Sequence, residues 1–197
     1  MTRTLDEVRA HLRGHFGDAE PGSASVTFLG TEPFEVLRFH GVDGSVHYVS
    51  LGCSRHPMTD PAQMVGDPQR GPRAEVVLCL RDPGPIAGIA RSLAILAATP
   101  AVEGVALTAD SLIDLGSPLW GWPSRHVPFT AVLLGRSDIP DLALRPPCEP
   151  VQFLSATPIT ATEAAWVRLK GAGAMREAWQ NDGVDVLDPN RRAAQPD

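Results

Sequence analysis

Cys53 and His56 place a thiol and an imidazole three residues apart, the raw material of a nucleophile and its base. The same pair reads as half of a zinc site, with Cys79 and Cys148 as further ligands, but structural zinc needs four groups converging tetrahedrally. Cys79 lies in an apolar run, Val76–Leu80, which suits a small buried thiol. A catalytic base normally approaches its nucleophile from a separate element, so Cys53 and His56 fit the start of a polar loop better than an active site. Asp110 and Asp114, four apart, could share acid/base work. Aspartates so close to a Gly- and Pro-rich loop more often bond nearby amides in turns. His11 and His15 have the i, i+4 spacing of a metal clasp but lack the carboxylate of a His-Glu-x-x-His motif, and read as a half-exposed helix face. Trp120 and Trp122 stand two apart in a Pro-rich loop and serve either the core or a partner surface.

The phosphate-binding loops are missing. Neither Gly-x-x-x-x-Gly-Lys-Ser/Thr nor Gly-x-Gly-x-x-Gly occurs, and Lys170, the single lysine, falls in a predicted helix. No Gly-x-Ser-x-Gly elbow is present either.

The chain that must position these groups has 197 residues, 43 % hydrophobic and 20 % charged, which suits one globular domain. Seventeen basic and 23 acidic residues give a net charge of −6, unsuited to coating nucleic acid. The longest apolar-rich stretch, Pro85–Ala98, contains Arg91 and is too short to span a bilayer. Three cysteines and a start without an apolar leader lead us to expect a reducing, cytoplasmic setting.

The spacing of Leu5, Val8, Leu12 and Phe16 predicts a helix over 5–16, opened by a Thr4–Glu7 capping box. Alternation predicts strands at 24–29, 35–40 and 45–51, the last two joined by the turn Gly41–Gly44. Residues 53–73 form a long Pro- and Gly-rich loop. A doubly apolar strand at 73–80 implies cover on both faces. Ile86, Ile89, Leu93 and Leu96 then mark an apolar helix that Pro100 should end. Further on come a short strand or turn at 104–115 and strands at 128–134 and 151–156. Helices near 161–170, behind a Thr160–Glu163 capping box, and near 173–181 complete the order. Strict βαβ alternation is absent. The expected fold is α+β: a mixed, mostly antiparallel sheet with helices packed on it. Residues 1–187 make one domain, and the polar stretch 188–197 should form a flexible tail.

Four stretches in order resemble the suppressor-of-fused family: Tyr48–Met58 (YVSLGCSRHPM), Arg73–Leu80 (RAEVVLCL), Val151–Trp166 and Val184–Arg191. The resemblance covers about residues 25–192. It implies an α+β domain with helices on a mixed sheet, no established catalysis and no cofactor. Animal members restrain a transcription factor, clasping a peptide of it as an added strand between two lobes. This chain has no room for a second lobe, so clasping in that form does not carry over. Bacterial single-domain members are thought to neutralise toxins by binding them. The implied partner is another protein, a toxin or a peptide segment, and neither nucleic acid nor membrane. Arg55, His56, Met58, Trp120 and Trp122 are the candidate contact residues. Two alternatives remain: a small cytosolic hydrolase or transferase built on Cys53/His56 or Asp110/Asp114, and a self-associating scaffold.

Overall fold

The computed structural model describes residues 2–17, 20–28, 30, 32–58, 67, 69–81, 84, 86–121 and 127–194. Seven strands form one sheet: β1 (Gly22–Val26), β2 (Phe34–His40), β3 (Ser45–Leu51), β4 (Arg73–Arg81), β5 (Leu112–Asp114), β6 (Phe129–Arg136) and β7 (Val151–Thr160). Their spatial order is β1-β2-β3-β4-β7-β6-β5. All pairings are antiparallel except β4 with β7, which run parallel from Arg73↔Val151 to Val77↔Ser155. The sheet is thus two antiparallel meanders joined along one parallel seam, the mixed, mostly antiparallel sheet that the patterning predicts.

Helix α1 (Thr2–Phe16) covers one face. Val8 and Leu12 are fully buried against Leu37, Phe39, Val49 and Phe153. The expected Thr4 cap is not the start of this helix, which opens at Thr2. Arg3 instead binds the Glu7 carboxylate at 2.9 Å, an i, i+4 pair that supports the extra turn.

Helix α2 (Ile89–Glu103) covers the opposite face, packing Leu93, Leu96 and Ala97 on Val36, Val76 and Leu78. Ile86, expected within it, precedes its first turn, and Pro100, expected to end it, lies inside. A proline in a final turn forfeits one bond to the preceding turn, a loss that a helix end tolerates. Gly104, at φ 69°, closes the helix by donating its N–H to the Pro100 carbonyl at 3.1 Å.

Helices α3 (Ala161–Lys170) and α4 (Ala172–Asn181) lie on the same face as α1, over Ala131, Leu133 and Ile159. The Thr160–Glu163 capping box is present in both directions, at 3.2 and 2.9 Å. Strand β7 runs through Pro158 to Thr160, four residues past its expected end. Beyond Ser155 it pairs only with β6, so a proline can face the unpaired side without removing a ladder bond.

The polar stretch expected to form a free tail contributes two buried residues. Arg191 is 7 % exposed and Ala194 is 3 % exposed. Arg191 reaches both oxygens of buried Glu163 at 2.7 and 3.0 Å, and the Ala194 N–H reaches the first of them at 3.1 Å. Trp179 Nε1 donates to the same carboxylate at 3.0 Å. Burial pushes the Glu163 carboxyl up, but the bonds from Arg191, Thr160 and Trp179 outweigh it and hold it below the ordinary range. The segment after α4 is therefore strapped across the sheet.

Candidate functional site

The chain turns sharply after β3. Gly52, at φ 151°, leads into a short 3-10 turn, Cys53–Arg55, and the fully buried Glu75 of β4 organises it. One Glu75 oxygen accepts from the N–H groups of Gly52 and Ser54 and from the Ser54 hydroxyl, at 2.9, 3.0 and 2.6 Å. The other meets the Ser50 hydroxyl at 2.5 Å. Buried Arg73 caps the Ser54 and Arg55 carbonyls. Burial raises the Glu75 pKa against these hydrogen bonds.

This frame decides what the loop residues can do. Cys53 is buried, and burial, aided by the Glu75 charge, pushes its thiol well above the ordinary range. A nucleophile needs the opposite shift. His56 is exposed, Arg55 is tied to Glu32 and the Pro33 carbonyl, and Met58 is buried with its sulfur accepting the Leu107 N–H. Asp110 and Asp114 each bind their own arginine, Arg176 and Arg168. The Arg168 guanidinium holds the Asp114 carboxyl below its usual range. These two carboxylates brace α3 and α4 against the sheet and do not converge on a common point. Trp120 is 2 % exposed and packs on Phe129, which places it in the core. Trp122 lies outside the described residues.

A different set of residues converges where the seam opens. Past Val77↔Ser155, β4 and β7 diverge, and a cavity of about 530 Å³ lies between them. The Arg81 N–H turns toward this side, donating to the Leu187 carbonyl at 2.8 Å. Backbone groups alternate along a strand, so the Cys79 N–H and C=O face the same opening. Beyond it, Arg191 donates to the Pro158 carbonyl of β7 at 2.7 Å. The C-terminal strap thus bridges both diverging strands at the far end, and among the described residues no main chain pairs with the Cys79 edge between seam and strap.

The cavity wall also carries a short polar chain. Asp43 accepts the Ser45 hydroxyl at 2.6 Å, Ser45 Oγ lies 3.0 Å from His47 Nε2, and that nitrogen lies 3.7 Å from Cys79 Sγ. His15, Arg136 and Asp138 complete the rim. Burial holds His47 below its ordinary pKa, opposed by Asp43 and Asp138 and reinforced by His15. Burial raises the Cys79 thiol. The pair is therefore neutral at pH 7: a thiol beside an uncharged imidazole, without the thiolate that attack requires. Among the described residues, no three His, Cys, Asp or Glu side chains are placed to hold a metal. Sequence reasoning placed Cys79 in the core. The signal it lacked was the register His47↔Cys79, which sets the two side chains side by side on the α1 face.

Comparison with known proteins adds a lineage to this geometry. The model of the suppressor of fused protein (SUFU) family matches residues 30–192. The chain belongs to the suppressor of fused family. Solved SUFU structures share its fold. A SUFU homolog from Neisseria gonorrhoeae superposes with a TM-score of 0.69 at 17 % identity, covering 99 % of this chain and 98 % of that one. The Sufu-Fu complex structure gives 0.69 at 15 % identity, covering 96 % and 91 %. Drosophila Suppressor of Fused gives 0.66 at 14 %, covering 96 % of this chain and 51 % of that one. No curated protein matches. The first two of the four SUFU-like stretches, Tyr48–Met58 and Arg73–Leu80, form one unit here, because Glu75 of the second ties Ser50, Gly52 and Ser54 of the first. The fourth stretch, Val184–Arg191, supplies the strap.

Proposed function

We propose that this chain is a non-catalytic, cytoplasmic protein-binding domain whose partner docks at the opening between β4 and β7, and that it serves as an immunity protein neutralising a toxin. The observation that carries this reading is the uncovered main-chain edge of β4 at Cys79, beside a cavity that the strap leaves open. Exposed strand edges recruit extended segments through main-chain hydrogen bonds. Membership of the SUFU family supports it, since one solved relative of this fold is a Sufu-Fu complex. The net charge of −6 favours a basic partner and speeds encounter. Exposed His56 lies away from this opening, beside the turn after β3, and Met58 and Trp120 are buried, so the contacts in this reading come from the opening's own rim. Among the described residues, no helix is long and apolar enough to cross a membrane.

The test is protection of cells against toxins encoded beside this chain, with binding followed by calorimetry. The wild type should protect and form a saturable 1:1 complex. Thr157→Trp, which fills the opening, should abolish both. Protection that survives Thr157→Trp but is lost in Cys53→Ala or Asp114→Asn would favour the hydrolase reading and overturn this one.

A further inference from the structure

On the opposite face, a groove of about 590 Å³ runs between the β1–β3 end of the sheet and the start of α2. Three donor sets meet there. Arg38 and Tyr48 are cross-strand neighbours on β2 and β3, on the face that α2 covers. Gly22 of β1 sits opposite Arg38, and a β-carbon there would stand 3.4 Å from Arg38 Nε, so glycine lets the guanidinium lie flat along the edge strand. Arg38 makes no ion pair among the described residues. Tyr48 is only 6 % exposed, yet its hydroxyl has no hydrogen-bond partner among the described residues, and the side chain lines the groove. The ring is buried but the hydroxyl is not fully so; it opens on the groove and is free to bond a ligand there.

The third set is the N-terminus of α2. Its N-cap is Gly88, at φ 91°, which has no side chain to offer, and the first turn contains no acidic residue. The first main-chain bond at this end runs from Ser92 N–H to the Gly88 carbonyl. The N–H groups of Ile89, Ala90 and Arg91 therefore lack intrahelical acceptors, and Ile89 and Ala90 line the groove. Such an end carries partial positive charge and favours anions. Among the described residues, no carboxylate lines this groove. The nearest on β2, Glu35, belongs to the opposite face and is bound by Arg9 at 2.7 and 2.8 Å. Beside Ser23, the remaining side chains are apolar, chiefly Val36, Ile86 and Ile89, with far more room than a bare phosphate needs.

We propose that this groove is a binding site for a small phosphate monoester: the phosphate sits between Arg38, the Tyr48 hydroxyl and the free amides of α2, and an apolar body lies along Val36 and Ile89. The site is on the other side of the sheet from the β4–β7 opening and does not depend on the protein-binding reading.

Calorimetry and amide NMR with phenyl phosphate, inorganic phosphate and benzoate test it. Phenyl phosphate should bind saturably, inorganic phosphate more weakly for lack of the apolar contact, and benzoate more weakly for lack of oxygens. The Ile89 and Ala90 amide signals should move. Arg38→Ala should weaken phenyl phosphate by about tenfold, as loss of a charge-assisted contact does, and Tyr48→Phe by a smaller factor. Ser92→Ala, whose amide is already bonded to the Gly88 carbonyl and which lies outside the groove, should change affinity less than twofold. No saturable binding of phenyl phosphate, or binding unchanged in both Arg38→Ala and Tyr48→Phe, overturns the proposal. Thermal melts of each variant confirm that it remains folded.

Discussion

Glu75 and Glu163 are both buried carboxylates, and the chain satisfies them in opposite ways. Glu75 has hydroxyl and amide partners only, so a neutral amide could take its place. Glu75→Ala would strand several buried donors and should cost about 3 kcal/mol or more, whereas Glu75→Gln should cost about 1 kcal/mol. Urea denaturation of the pair checks this, and equal losses would mean that ionised Glu75 is required. Glu163 faces a buried guanidinium instead. Arg191→Ala leaves its charge unpaired and should cost about 3–5 kcal/mol by the same measurement. The Glu75 contacts could be suspected from the two SUFU-like stretches, but nothing in a polar run such as Asp188–Asp197 announces that one of its arginines is buried. Composition registers charge, and only the fold shows whether a partner waits for it.

The helix ends divide according to whether a competitor for the capping side chain stands nearby. The Thr160–Glu163 box was legible because the apolar strand before it fixes where the helix must begin. The Thr4–Glu7 pattern was equally good on paper, but Arg3 sits one turn before Glu7 and takes its carboxylate. Thr160→Ala should therefore lower stability by about 1 kcal/mol, and Thr4→Ala should leave it almost unchanged, as paired thermal melts would show. Pro100 misled for a related reason: a proline signals a helix boundary, but the left-handed Gly104 sets the actual end. Gly104→Ala should cost about 1 kcal/mol. Strand positions were more legible than strand partners. The doubly apolar β4 announced cover on both faces, but its parallel pairing with β7, and the opening where that pairing stops, depend on register between distant segments.

For the molecule as a whole, His47 and Glu163 are two of the groups that shape the response to acid, beside exposed carboxylates such as Asp114 and Asp185 that are also held low. His47 has a folded pKa below its unfolded value of 6.5, so the unfolded state binds the proton first and stability falls as pH drops through 6.5 toward the folded value. Glu163 has a folded pKa below 4.5, so its contribution is complete above 4.5 and is lost as pH falls through the depressed value. Glu75, shifted upward, works against both. Stability measured against pH should therefore decline in two stages, and His47→Gln should remove the upper one while leaving the lower. Deleting residues 190–197 should destabilise the protein about as much as Arg191→Ala, by about 3–5 kcal/mol, because it removes the same buried cation. A loss under 1 kcal/mol would show that the strap is ornamental.

The parallel seam has a kinetic consequence. Each meander forms from strands that are near neighbours in sequence, apart from the Pro-rich stretches between them, but Arg73 must find Val151 across about 80 residues. Closing so long a loop is entropically costly and is not repaid until side chains on both faces interlock. The two half-sheets should therefore acquire protection against amide exchange first and zip together afterwards. That joining step is the one that shapes the Cys79 opening, so an aperture between two finished halves would exist before its strap is fastened.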